Sequence, residues 1–149
     1  MPRFPPVAVA ASFGLAMWLI ARAIPVLGFD FPGRTAVAIA LLALGAAISL
    51  AGVVAFRRAR TTTNPLRPGA ASSLVVSGIC AHTRNPMYLG FALMLLAWSA
   101  WLAHPVTLLA IPGFVAWMNR FQIAAEERAI GALFGADFEH YCRRVRRWI

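Results

Sequence analysis

A polar cluster in the middle of the chain carries residues that can do chemistry. Arg84, Asn85 and Tyr88 place hydrogen-bond donors and an aromatic ring where a long apolar run begins. Gly78 permits a backbone angle that other residues rarely adopt, and Pro86 suits the first turn of a helix, where its missing N–H costs nothing. Alone, this cluster is equally typical of an interfacial anchor, with an arginine and a tyrosine at the boundary between water and membrane.

A second polar cluster contains two adjacent carboxylates, Glu126 and Glu127, in a chain with only five acidic residues. On a helix, residues seven apart return to nearly the same face, so Asn119 would lie under Glu126 and Arg120 under Glu127. A carboxylate here can bind an ammonium group, a sugar hydroxyl or an arginine. The ordinary alternative is a polar helix face, and only the combination of both clusters is specific.

The elements that must position these clusters follow from composition. The chain has 149 residues, 60% hydrophobic and 13% charged, whereas about a quarter of a soluble domain is charged. Because a bilayer core requires about 20 apolar residues in a helix, we predict an all-α integral membrane protein with four transmembrane helices and a short cytoplasmic helical tail, as one domain over 1–149. The predicted spans are 7–29, 35–56, 86–104 and 106–123, with a cytoplasmic loop at 57–85 and a cytoplasmic tail at 124–149.

Two of these spans contain irregular positions. Arg22 lies near the end of the first span, where its long side chain can reach the interface. Pro112 and Gly113 interrupt the fourth, which is either one kinked span or a span joined to an interfacial helix, and such a break predicts a pocket.

The first span has an alternative interpretation as a signal peptide, since Arg3 precedes it, but its apolar run is longer than the apolar region of a signal peptide.

Small residues predict how two helices meet. Gly45 and Ser49 lie four residues apart in the second span, and this spacing allows two membrane helices to approach closely. Packing is the favoured interpretation of both residues.

All fourteen basic residues are arginine, which gives a net charge of +9 and a pI near 11.6. Five of them lie in the predicted loop, five in the predicted tail and one, Arg120, near the end of the fourth span, while the turn around His104 has none. The positive-inside rule therefore places the loop, the tail and the amino terminus in the cytoplasm. Membrane lipids are the expected partners of most of these arginines, and nucleic acid is not an expected partner.

The cysteines and histidines show no metal-ligand spacing. Cys80 and Cys142 both fall in predicted cytoplasmic segments, where thiols stay reduced. The sequence therefore predicts neither a disulfide nor a metal site.

The two clusters together resemble those of the integral-membrane methyltransferases, a superfamily that includes the isoprenylcysteine carboxyl methyltransferases and the phospholipid N-methyltransferases. The resemblance covers 64–148, about half of the chain. It rests on Gly78, the run at 84–90, the triplet at 126–128, and the later pattern of Leu133, Phe134, Gly135, Phe138, Tyr141 and Val145.

The resemblance implies S-adenosylmethionine as cofactor, in a cytoplasm-facing pocket built from the ends of the last two spans and the basic tail. It assigns Arg84 and Glu127 as catalytic residues. The cofactor-binding residues that it implies are Gly78, Asn85, Pro86, Tyr88, Leu89, Gly90, Asn119, Arg120, Glu126 and Glu127. Arg84 would bind the cofactor carboxylate or an acidic group of the acceptor, and the glutamates the amino-acid or ribose end. Tyr88 would face the adenine or the sulfonium, because aromatic rings attract cations.

The chain departs from the family pattern at two places. Asn85 stands where the family commonly has a histidine, and Ile79 and Cys80 stand where it commonly has Pro-Tyr. An asparagine keeps a donor and an acceptor but cannot titrate, so it cannot serve as an imidazole would.

A pocket open to both the cytosol and the hydrocarbon core suits an amphipathic or lipid-like acceptor. The candidates are a prenylated thiol or carboxylate, a phospholipid amine, a quinone-like headgroup and a small thiol. Arginine without lysine, with many Ala and Gly residues, indicates a GC-rich bacterial source and therefore the inner membrane.

Three other classes of protein remain as alternatives. A small transporter would require an intramembrane carboxylate, whereas the five acids lie in a connection or after the last span. An NADPH-dependent membrane reductase of related architecture would need a larger phosphate site. A non-catalytic membrane scaffold is the third alternative.

Overall fold

The computed structural model describes residues 4–61 and 71–149, and within them the chain is helical, without a strand. The main helices are α1 (Pro6–Ala23), α2 (Arg34–Arg58), α3 (Pro86–Leu102), α4 (Ala110–Trp117) and α5 (Ala124–Arg144). A π-helical segment, Met118–Ile123, joins α4 to α5, and 3-10 turns lie at Pro25–Leu27, Gly78–Ala81 and Pro105–Leu109. Arg3, Arg67 and the middle of the predicted loop lie outside the described residues.

The helix boundaries differ from the predicted spans where proline intervenes. α1 ends at Ala23 rather than near residue 29, because Ile24 precedes Pro25 and leaves the helical region, with φ −127° and ψ 59°. Pro112 falls in the first turn of α4, where a proline is tolerated, so no break occurs there. The irregularity lies instead in Met118–Ile123, and the helix then continues to Arg144 with a kink at Gly135.

α2 packs on α3 through the small residues that the sequence singled out. A Cβ on Gly45 would lie 2.7 Å from the backbone oxygen of Gly90, and one on Gly52 would lie 2.9 Å from Cγ of Pro86. The Ser49 hydroxyl donates to the carbonyl of Met87 at 3.3 Å. This close approach positions the start of α3 against α2. The polar cluster lies at that start.

α1 belongs to the core of the bundle. Met17 of α1 is completely buried, Phe13 meets Phe114 of α4 edge to face at 5.7 Å, and Trp98 Nε1 donates to the carbonyl of Gly14 at 3.0 Å. This packing favours a permanent helix over a removed signal peptide.

Among the described helices, α1 and α2 are long and apolar enough to cross a membrane, and α3 is a shorter apolar helix. Only 17% of the most apolar stretch of each is buried within the protein. A core helix of a soluble protein would be mostly buried, whereas α2 exposes large aliphatic side chains such as Ile39 and Leu50. The two helices therefore suggest a membrane location.

Replacing Gly90 by alanine is expected to destabilise the bundle by about 1 to 3 kcal/mol, because the new methyl group has no space. Its Cβ would lie 2.0 Å from Ser49 Oγ and 2.5 Å from the Gly45 carbonyl oxygen. The measurement is the melting temperature of the detergent-purified protein without ligand. Gly14→Ala is the matched control, since its nearest neighbour is a Leu95 methyl group at 3.9 Å. Equal melting temperatures for the two variants would contradict this account.

Candidate active site

A cavity of about 110 Å³ lies where the start of α3 faces α5, near the end of α2. The polar part of its wall comes from both sequence clusters, and the rest is largely apolar and aromatic. The lining residues are Phe56, Ala71, Ser73, Leu74, Val75, Arg84, Asn85, Pro86, Met87, Tyr88, Glu126, Glu127, Ile130, Phe134, Phe138 and Tyr141. The two clusters, about 40 residues apart in sequence, thus share one cavity.

Glu127 lies between two guanidinium groups. Arg84 Nη1 is 3.3 Å from its Oε1, while Arg147 donates twice, from Nε to Oε1 at 3.0 Å and from Nη2 to Oε2 at 2.5 Å. These hydrogen bonds to Glu127 raise the pKa of Arg147. Because the Glu127 side chain is only 20% exposed and Arg84 only 13%, this cluster is partly shielded from solvent.

Arg84 is held at several points but retains one unused donor. Its Nη1 donates to the sulfur of Cys142, and its backbone N–H donates to the carbonyl of Arg146 at 3.0 Å. Its Nε is buried and has no hydrogen-bond partner within residues 4–61 and 71–149. A buried donor without an acceptor is costly, so the site has capacity for an anionic group next to Arg84.

Glu126 accepts hydrogen bonds from two neutral groups. Tyr88 Oη donates to Glu126 Oε1 at 2.5 Å, and Gln122 Nε2 donates to the same oxygen at 2.6 Å. Gln122 lies in the π-helical segment and is only 2% exposed. Such segments frequently lie at functional sites, because the extra residue redirects side chains. Gln122 was not predicted as a site residue, although its spacing of four from Glu126 is the helical neighbour spacing.

Asn85 has a definite partner in place of the imidazole that the family commonly has. Its Nδ2 donates to the carbonyl of Arg147 at 3.0 Å, and its backbone N–H donates to Thr83 Oγ1 at 3.2 Å. Asn85 immediately precedes α3, with Pro86 as the first helical residue. The asparagine therefore fastens the start of α3 to the segment that follows α5.

Burial makes the thiol of Cys80 a poor nucleophile. Cys80 is 1% exposed, and burial raises its pKa to about 11, so it stays a protonated thiol at neutral pH. Tyr141 donates to its carbonyl at 2.6 Å and thereby ties α5 to the turn before α3. Both cysteines are free, and the described ranges contain no group of three His, Cys, Asp or Glu side chains that could hold a metal ion.

Five residues predicted to bind the cofactor lie outside the cavity wall. Gly78 opens an exposed 3-10 turn with φ 63°, and Gly90 faces α2. Leu89 follows Tyr88 by one residue and is therefore rotated about 100° around α3. Asn119 accepts from Trp148 Nε1 at 3.1 Å, and the side chain of Arg120 is exposed. Their assignment to the cofactor stays a prediction, as does that of the residues in the wall.

Comparison with known proteins identifies the family. The phospholipid methyltransferase family model matches residues 33–137, which is more than half of the chain, and the chain belongs to this family. An uncharacterized protein of Haemophilus influenzae is 41% identical over 63 residues, which are 42% of this chain and all of that protein. The family confirms the resemblance drawn from the two clusters. It implies methyl transfer to lipid-like substrates and a location at a membrane.

Proposed function

We propose that the protein transfers the methyl group of S-adenosylmethionine to an amphipathic, lipid-like acceptor at the cytoplasmic face of the bacterial inner membrane. The observation that carries the proposal is the cavity itself. Its wall combines Arg84, Glu126 and Glu127 with aromatic and aliphatic side chains. A site for a charged nucleoside cofactor and an apolar acceptor requires both kinds of wall.

The residue types in the wall match the charged groups of this cofactor. Its carboxylate matches the buried Nε donor of Arg84, and its ammonium group matches the carboxylate of Glu127. Glu126, which already accepts a hydrogen bond from Tyr88, is positioned for the amino-acid or ribose end of the cofactor. The Tyr88 ring suits the adenine or the sulfonium. Arg84 and Glu127 are accordingly the residues to which we assign the principal roles.

The chemistry asks little of the protein beyond positioning. When bound, S-adenosylmethionine supplies a methyl group attached to a sulfonium sulfur. Transfer of this methyl group releases a neutral thioether, which is an excellent leaving group. Arg84 and Glu127 bind and orient the donor, and holding both reactants in line lowers the barrier without a protein nucleophile. The apolar wall formed by residues such as Phe134 and Phe138 excludes water from the reacting atoms.

Four membrane crossings are consistent with the helix lengths. Besides α1 and α2, the 17 residues of α3 rise about 26 Å. Segment 105–123 rises about 31 Å with its first turn in the 3-10 form, against a hydrocarbon core of about 30 Å. The ends of these segments that carry Arg58, Arg84 and Arg120 then share the cytoplasmic side. The residues before α1 and after α5 lie on that side too.

Ligand stabilisation tests this function. We expect S-adenosylhomocysteine to raise the melting temperature of the detergent-purified protein by several degrees, since ligand at 100 times its Kd stabilises by about 2.7 kcal/mol. NADPH is the control and is expected to leave the melting temperature unchanged. Stabilisation by NADPH alone would favour the reductase, and no response to either would favour a scaffold or a transporter. Incubation of lipid extracts with labelled methyl donor then identifies the acceptor.

A further inference from the structure

The segment that follows α5, residues 145–148, crosses the site as a strap. Val145 is buried against Phe138 and Tyr141, and the Trp148 indole donates to Asn119. This strap lies outside the range that the family model matches. Its contacts reach the start of α3, the π-helical segment and α5, so it touches both parts of the chain that carry the charged residues of the cavity.

The strap forms hydrogen bonds with three residues of the cavity wall. The carbonyl of Arg146 accepts from the backbone N–H of Arg84, and the carbonyl of Arg147 accepts from Asn85 Nδ2. The side chain of Arg147 makes the third contact, to Glu127. Arg147 is not itself part of the wall, so any role it has in ligand binding acts through Glu127.

We propose that Arg147 is a positioning residue of the methyl-donor site, which fixes the Glu127 carboxylate in the orientation that receives the donor's ammonium group. This inference rests on the proposed function. A planar guanidinium that binds both carboxylate oxygens fixes the plane of the carboxylate as well as its position. The contact of Arg84 Nη1 with Oε1 of Glu127, at 3.3 Å, is longer than the two hydrogen bonds from Arg147, so Arg147 is better placed to set the plane of the carboxylate.

The contact between Arg147 and Glu127 differs from an ordinary surface ion pair. Exposed pairs contribute little because solvent screens them and both side chains must be ordered. Here the Arg147 side chain is 39% exposed, but Glu127 is only 20% exposed and two donors of Arg147 reach both of its oxygens. Arg146, the preceding residue, has an exposed side chain and provides a matched control.

The test compares two ligands that differ by the amino-acid group. S-adenosylhomocysteine carries it, while 5′-methylthioadenosine keeps the adenosine and the thioether without it. We expect Arg147→Gln to weaken binding of S-adenosylhomocysteine by about tenfold in calorimetry and to leave 5′-methylthioadenosine binding unchanged. Arg147→Lys keeps the charge without the planar fork and is expected to remain closer to the glutamine variant than to the wild type. Arg146→Gln should bind both ligands as the wild type does.

Each of the following outcomes would overturn the proposal. Equal weakening of both ligands by Arg147→Gln would indicate general disorder of the site, and no weakening would remove the role altogether. If the double variant Arg147→Gln/Glu127→Gln lost clearly more affinity than Glu127→Gln alone, Arg147 would not act through Glu127. A wild-type protein that binds 5′-methylthioadenosine but not S-adenosylhomocysteine would also refute it. Wild-type protein that binds neither ligand would overturn the proposed function as well, which separates the two failures.

Discussion

Replacing Glu127 by glutamine is expected to weaken binding of S-adenosylhomocysteine by about 100-fold or more. The glutamine is isosteric but neutral, so the ammonium group of the ligand loses its counter-charge. The variant also removes the carboxylate that lies between the guanidinium groups of Arg84 and Arg147. We expect the two positive charges to repel each other and to disorder the end of the site that receives the amino-acid group. Titration calorimetry on the detergent-purified protein measures the effect.

Two comparisons make this result specific. Glu139→Gln removes a carboxylate from the exposed face of the same helix and is expected to leave the affinity unchanged. Glu127→Asp keeps the charge on a shorter side chain and is expected to fold with the arginine cluster intact while binding the ligand more weakly than the wild type. Unchanged affinity in Glu127→Gln would remove Glu127 from the site, and an equal loss in Glu139→Gln would show that the effect is one of net charge.

Both polar clusters can be identified in the sequence because their residue types differ from those of the apolar runs around them. Two adjacent acids are conspicuous in a chain with only five, and an arginine beside a proline at the start of an apolar run is easily noticed. Helix periodicity then supported a common face for the second cluster. That the clusters meet in one cavity followed from the resemblance and not from spacing, since local patterns carry no information on contacts 40 residues apart.

The small-residue contact was predictable for a different reason. Gly45 and Ser49 form a stripe with helical spacing, and such stripes allow two helices to pack closely. The partner on the other helix was not predictable in the same way. The family resemblance implies that Gly90 binds the cofactor. In the fold, its missing side chain makes room for Ser49.

Arg147 and Gln122 show what sequence reasoning could not find. Arg147 is one of four arginines within five residues of the tail, and nothing local distinguishes it from Arg146. The distinction arises only when the strap turns after α5 and directs one side chain toward Glu127. Gln122 donates to Glu126 from the π-helical segment Met118–Ile123, and such a segment has no reliable local signal in the sequence.

Charge balance links these residues to the function. Glu126 and Glu127 bring two negative charges to one cavity, and Arg84 and Arg147 bring two positive ones, one of which lies outside the wall. The proposed methyl donor carries a carboxylate, an ammonium group and a sulfonium, so each of its charged groups can lie near a side chain of opposite charge. The apolar remainder of the wall then belongs to the adenine and the acceptor, which agrees with a family of methyltransferases for lipid-like substrates.

Replacing Arg84 by glutamine is expected to lower kcat/KM for methyl transfer by about 100-fold or more. Arg84 is the cavity-lining guanidinium, and its buried Nε is the donor without an acceptor in the described parts of the chain. Glutamine removes the charge and shortens the reach, so the cofactor carboxylate loses its partner. The fold should survive, because Arg147 still holds Glu127 and the backbone N–H of residue 84 still reaches the carbonyl of Arg146.

The measurement is transfer of labelled methyl groups from S-adenosylmethionine to a lipid extract, with the unliganded melting temperature as a check of folding. Arg120→Gln is the matched control, since the sequence also predicted Arg120 as a cofactor residue but its side chain is exposed and outside the wall. We expect that variant to keep most of its activity. Loss of activity in Arg120→Gln with little loss in Arg84→Gln would place the cofactor elsewhere, on the outer face of the π-helical segment rather than in the cavity.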